Sequence, residues 1–176
     1  MTVENTIYSK EEDQPLEISI IRLMAEHKKT LSAAESCTGG MLSAKVINVP
    51  GASEVYEAGF VTYANKAKHK LIDVKNKTLK EYGAVSSQTA KEMVKGTLKK
   101  TGADYAVSIT GIAGPGGGTK EKPVGLVYIG CGRKHHIVVK RYQFSGDRTQ
   151  IREASVASAL SQLYEVLIED FDKKDR

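Results

Sequence analysis

The chain has no tryptophan, two cysteines and four prolines, and aromatic residues make up 6% of its 176 positions. Each scarcity narrows the function. No stretch interleaves aromatic platforms with arginines in the way that single-stranded nucleic acid requires. Cys37 and Cys131 stand in contexts unlike any metal-ligand spacing, and a cytosolic setting argues against their forming a disulfide. No apolar run approaches the roughly 18–20 residues of a membrane span. The opening MTVENTIYSKEEDQPLE is polar and acidic, unlike a signal peptide. The expectation is a soluble, cytoplasmic protein with no membrane partner.

What the chain does have is a basic balance, 26 Lys and Arg against 21 Asp and Glu, for a net charge of +5. That favours anionic partners, nucleotides or nucleic acid. The basic residues are dispersed, in KAKHK at 66–70, KNK at 75–77, KK at 99–100 and RKHH at 133–136. Dispersed clusters of this kind read as solvated helix and hairpin surfaces, so nucleic acid is disfavoured.

The length suits one domain with a proper core. Residues 1–14 are expected to be a loose tail and 15–176 a single domain. Leu16, Ile20, Leu23 and Met24 recur at helical spacing within 15–28. A short strand is expected over Thr30–Ala34, then a helix starting at Ser36 or Thr38 and stopped by Pro50-Gly51. Gly59–Tyr63 reads as a strand and 65–72 as a lysine-rich helix. Ser86 or Ser87 caps a helix carrying Ala90, Met93, Val94 and Leu98 and ending at Gly102. Asp104–Ile109 reads as a buried strand. Val124–Cys131 and His135–Phe144 read as a hairpin turned at Gly132-Arg133, its second strand at an edge. Asp147 caps a long last helix with Ile151, Ala154, Ala157, Leu160, Tyr164 and Leu167 on one side. Alternating helices and strands followed by a hairpin predict a three-layer α/β/α sandwich on a mixed sheet of about five strands.

Three stretches begin where an apolar strand ends: AESCTGG at 34–40, FVTYANKAK at 60–68 and SITGIAGPGGG at 108–118. Parallel strand ends converge on the usual ligand crevice of such sheets. The glycine loop matches neither the Walker pattern nor G-x-G-x-x-G, since Thr119 stands at the last position. It reads either as a plain surface turn or as a loop whose bare backbone approaches a ligand and offers N–H groups to an anion. Ser36 is either a simple N-cap or a nucleophile, with the first-turn amides of the next helix as an oxyanion hole. Cys37 is either a rival nucleophile or a buried structural thiol. For a base, His69 alone among the four histidines lies near a motif. Lys68 is the alternative, if burial or positive charge lowers its pKa, and otherwise one more solvated lysine beside Lys66 and Lys70. Tyr63 is placed to relay a proton or support an oxyanion.

AESCTGG, PGAS, GFVTYANKAK, YGAVS, SITGIAGPGGGTKEKPVG and FSGDR, in this order from about Leu31 to Glu153, together resemble the CinA C-terminal family. That family includes stand-alone nicotinamide-nucleotide amidohydrolases, and in some members a larger nucleotide-processing domain precedes this one; the chain resembles the stand-alone form. The resemblance implies hydrolysis of the carboxamide of nicotinamide mononucleotide to nicotinic acid mononucleotide and ammonia. It assigns the catalytic roles to Ser36, Tyr63 and Lys68, with no metal and no cofactor, in a homo-oligomer of the α/β/α fold. Thr110 stands where relatives also carry serine, and either hydroxyl can hydrogen-bond a substrate. The expected substrate contacts are Thr38, Gly39, Gly40, Thr110, Gly111, Gly116, Gly117 and Arg148. Arg148 and Arg152 read either as phosphate contacts or as surface partners of Asp147 and Glu153. The competing reading is a non-catalytic nucleotide-binding module of the same fold.

Overall fold

A computed structural model describes residues 14–172; the tail expected over residues 1–14 falls, except for Gln14, outside them. Five strands form one sheet in the order β2-β1-β3-β4-β5. They are β1 (Leu31–Glu35), β2 (Tyr56–Val61), β3 (Tyr105–Gly111), β4 (Leu126–Arg133) and β5 (His136–Gln143). β2, β1 and β3 run parallel, while β4 and β5 are antiparallel additions. The hairpin adds its strands without a crossover, whereas each parallel strand needs a helical return.

The helices are α1 (Leu16–Glu26), α2 (Met41–Ile47), α3 (Asn65–Ile72), α4 (Asn76–Tyr82), α5 (Ser87–Thr101) and α6 (Arg148–Asp172). Strand alternation sorts them into two layers. Leu31, Ala33, Val107, Ile109, Val127 and Ile129 face α1, α2 and α6 and form the main core with them. The opposite face carries small residues, Ala34, Ser108 and Gly130, over which α5 packs closely. A Cβ at Gly130 would lie 2.9 Å from Val94 and 3.1 Å from the Ala90 carbonyl. The three-layer α/β/α sandwich on a mixed five-stranded sheet is therefore the observed architecture.

Local signals act as expected at several ends. Ser86 Oγ accepts from the Thr89 amide, and Gly102 closes α5 at φ +75°. Asp147 and Gln150 bond reciprocally at the start of α6, as in a capping box. Four expectations need correction. α2 starts at Met41 rather than at Ser36 or Thr38, because Gly39 and Gly40 take positive φ and break the helical path. α4 was not foreseen. The hairpin turns at Lys134-His135, with Gly132 inside β4, where a Cβ would run into the His136 carbonyl. Ala154, Ala157 and Tyr164 are only half-buried, and the buried stripe of α6 runs instead through Ile151, Ser155, Val156, Ala159 and Leu163.

Candidate active site

The C-terminal ends of β2, β1 and β3 lie side by side, with β1 in the middle. Two backbone bonds extend the sheet past its last residues: the Ser36 amide donates to the Ile109 carbonyl at 2.9 Å, and Thr62 N to the Glu35 carbonyl at 2.8 Å. Ser36 is thus stapled between its neighbours at the point where the connections from β1 diverge, the usual crevice of an open α/β sheet.

Glu35 faces the α2 side and is 1% exposed. Its carboxylate accepts from the amides of Gly40, Leu42 and Ser43 at 3.1, 3.0 and 2.9 Å and from the Ser43 hydroxyl at 2.7 Å. An ionised carboxylate can accept about four such bonds, so its capacity is filled. The opening amides of α2 are thereby occupied, and they do not point at the crevice as the sequence suggested. Sequence reasoning passed over Glu35. The available signal was a lone carboxylate ending an apolar strand immediately before the glycines that open a helix.

Lys68, on α3, is fully buried. Its Nζ lies 2.9 Å from Ser36 Oγ, 2.8 Å from the Thr62 carbonyl and 3.3 Å from the Tyr63 carbonyl. Burial, opposed weakly by nearby Cys37, brings its pKa down from 10.5 to about 8. The solvated-lysine reading fails for this residue. Burial raises the Cys37 thiol to about 11, so it is not a thiolate near neutrality. His69 turns its Nδ1 to the Val74 carbonyl at the end of α3, 2.8 Å away, and does not meet Ser36.

A cleft of about 270 Å³ opens over this pair, close to the low end of the range for small-molecule sites. Ser36, Cys37, Tyr63 and Lys68 are part of its lining. Ala84 and Val85, after α4, face Thr110 and Gly111 at the end of β3. Ile112 to Gly114, Gly116, Gly117 and Arg148 complete the wall. Thr110 donates its hydroxyl to the Ala84 carbonyl at 2.7 Å, tying the two walls together. Gly111 is required by packing, since a Cβ there would lie 2.6 Å from a Val127 methyl. Gly116 has nothing within 4 Å of its Cβ position and an ordinary φ, so its bare backbone answers to no neighbour in the fold.

Of the substrate contacts read from sequence, Thr110, Gly111, Gly116, Gly117 and Arg148 line the cleft; Thr38, Gly39 and Gly40 are not part of its lining, although their backbone follows Ser36 and Cys37 directly. The Tyr63 phenol sits 3.1 Å from Arg148 Nη2, and Arg148 Nη1 donates to the Gly114 carbonyl at 2.8 Å. Arg152 donates from Nε to the Cys37 carbonyl at 3.0 Å and from Nη2 to the Thr38 carbonyl at 2.9 Å. Among the described ion pairs, neither arginine has Asp147 or Glu153 as its partner.

The fold and cleft define an α/β sandwich protein with a buried lysine–serine pair under a glycine-walled pocket. Residues 13–167 match the CinA C-terminal domain, and the chain belongs to that family. It is 52% identical over 155 residues to a CinA-like protein of Thermotoga maritima, an alignment covering 88% of this chain and 38% of that relative. The chain thus spans well under half of that protein's length. Its structure resembles the competence/damage inducible protein CihA from Agrobacterium tumefaciens, at 41% identity and TM-score 0.84, covering 86% and 93% of the two chains. A CinA superfamily protein from Escherichia coli follows at 30% identity and TM-score 0.83, covering 92% and 96%.

Proposed function

We propose that the chain hydrolyses the carboxamide of nicotinamide mononucleotide, with Ser36 as nucleophile and Lys68 as base. The observation that carries this reading is the 2.9 Å contact between a buried lysine and a serine hydroxyl, both lining the cleft. Two of the three acceptors around Lys68 Nζ are backbone carbonyls, which can only accept. A neutral amine has two N–H bonds to give them, and its lone pair is then left for the third direction, toward the Ser36 hydroxyl. That is the arrangement a general base needs.

In the first half-reaction Ser36 Oγ bonds to the carboxamide carbon as its proton passes to Lys68 Nζ. The tetrahedral species collapses with cleavage of the C–N bond, and Lys68 returns the proton to the leaving nitrogen, releasing ammonia. Water then attacks the acyl-serine, giving its proton to Lys68. Cleavage of the Oγ–C bond frees the acid, and Lys68 returns the proton to Ser36 Oγ, restoring the hydroxyl and the neutral amine. Val85, Ile112 and Ala113 give the cleft an apolar wall suited to a pyridine ring. Arg148 supplies a cation whose present partners are the Tyr63 hydroxyl and a backbone carbonyl, neither of them a carboxylate, and which can take a phosphate instead.

The test is ammonia release from nicotinamide mononucleotide by purified protein. Turnover lost in Ser36→Ala and in Lys68→Met supports the reading. Binding without ammonia release would instead assign a nucleotide-binding module.

A further inference from the structure

Arg152 is the polar side chain beside the site whose orientation the proposed chemistry leaves unused. It is half-buried, does not line the cleft, and gives two guanidinium nitrogens to consecutive carbonyls, those of Cys37 and Thr38. Backbone carbonyls carry no net charge, so ion pairing does not explain a fork held at 2.9–3.0 Å on both. Its effect falls on the peptide planes of the elbow that follows the serine. A trans peptide holds its C=O and N–H on opposite sides. Drawing the Cys37 carbonyl toward α6 therefore turns the Thr38 N–H away from α6, and among the described residues that amide has no acceptor.

The residues around it are tied down from the other direction. Glu35 holds the amides of Gly40, Leu42 and Ser43, and Gly39 N donates to the Ser36 carbonyl at 3.2 Å. A buried carboxylate thus holds the N–H groups after the elbow while a guanidinium holds its carbonyls. Between these anchors the chain passes through Gly39 at φ +60°, where a Cβ would come within 3.6 Å of Arg152 Nη2.

We infer that Arg152 is a positioning residue that orients the elbow peptides, so that the Thr38 amide donates to the oxyanion formed when Ser36 attacks. It is not a phosphate contact. The inference rests on Ser36 being the nucleophile, as proposed above, but not on the identity of the substrate.

Arg152→Gln and Arg152→Lys are compared with the unaltered chain on two substrates, nicotinamide mononucleotide and nicotinamide riboside, which lacks the phosphate. A lost oxyanion donor typically costs about 10²–10³-fold in kcat. A misaligned one is expected to cost at least about tenfold, with KM little changed and the same factor on both substrates. Arg152→Lys should fall less than Arg152→Gln, because a lysine can still reach one of the two carbonyls. A rise in KM confined to the phosphate-bearing substrate would overturn the inference.

Covalent labelling of Ser36 by phenylmethanesulfonyl fluoride, followed by mass spectrometry, separates this from the substrate question. In that step the Oγ–S bond forms, the S–F bond breaks and the serine proton leaves with fluoride. Slower labelling of Ser36 in Arg152→Gln than in the unaltered chain, at matched thermal stability, supports the inference even if no nicotinamide substrate is turned over. Equal labelling rates would overturn it.

Discussion

A lysine buried completely yet bonded to a serine hydroxyl ties any reaction at Ser36 to its own protonation. In the proposed reaction the neutral amine is the base, and burial brings its pKa to about 8. The rate of ammonia release should therefore rise as pH increases through about 8 and level off above it. A flat profile between pH 7 and 9 would remove Lys68 from the base role. Lys68→Met and Ser36→Ala should each leave only trace turnover, and the double mutant should be hardly worse than either, since groups acting as a unit are strongly non-additive. Cys37→Ala should stay active, because the thiol is held protonated. The glycines of the cleft divide by cause. Gly111→Ala should destabilise the fold by about 1–3 kcal/mol, through overpacking against Val127. Gly116→Ala should leave the melting temperature unchanged, as its Cβ meets nothing, and raise KM only if the loop backbone approaches the substrate. Paired melting and kinetic measurements on both variants distinguish the two roles.

The connection from β1 to α2 depends on a single carboxylate. Glu35→Gln keeps the size of the side chain but sets an NH2 group against N–H donors. It should cost about 2–3 kcal/mol through groups left unpaired, and lower kcat more than it raises KM. Denaturant unfolding and steady-state kinetics measure the two effects. At the other end of the sheet, α6 is anchored by Asp170, whose carboxylate accepts from Arg133 at 2.7 and 3.0 Å and from the Tyr105 hydroxyl at 3.0 Å. The Arg133 guanidinium, with help from Tyr105, holds this carboxyl below its ordinary pKa. Its contribution to stability is therefore full above the unfolded value of about 3.9 and is lost as pH falls through the folded value. The unaltered chain should lose stability below about pH 4 more steeply than Asp170→Asn, as acid titrations of the melting temperature would show. α4 escaped the sequence for a related reason. Its seven residues bury only Thr78 and Leu79, too little for a periodic signal. Its start is set from outside by Glu92, which accepts from the Lys75 amide and the Thr78 hydroxyl.

The layer order and the sheet composition were legible because they follow from the alternation of apolar helices and strands. The meeting of Ser36 with Lys68 followed from the family resemblance and from the rule that parallel strands end together; taken alone, Lys68 looked like its solvated neighbours. Gly132 shows the limit of local signals. The sequence indicates a glycine where the backbone must come close to something, but not that the neighbour is the opposite strand rather than a turn. Arg148 was placed at the site from sequence and lines the cleft, but the carbonyls that Arg148 and Arg152 meet were out of reach, because helix spacing does not tell which loop a docked helix will touch. Those contacts have a temporal consequence. Arg148 binds Tyr63 across 85 positions of sequence, and Arg152 binds Cys37 across 115. Closing such long loops is slow and comes after local structure has formed. During refolding from denaturant, helical signal should therefore return before the ability to label Ser36, and a protein caught between the two would carry its serine and lysine side by side with the elbow still unaligned.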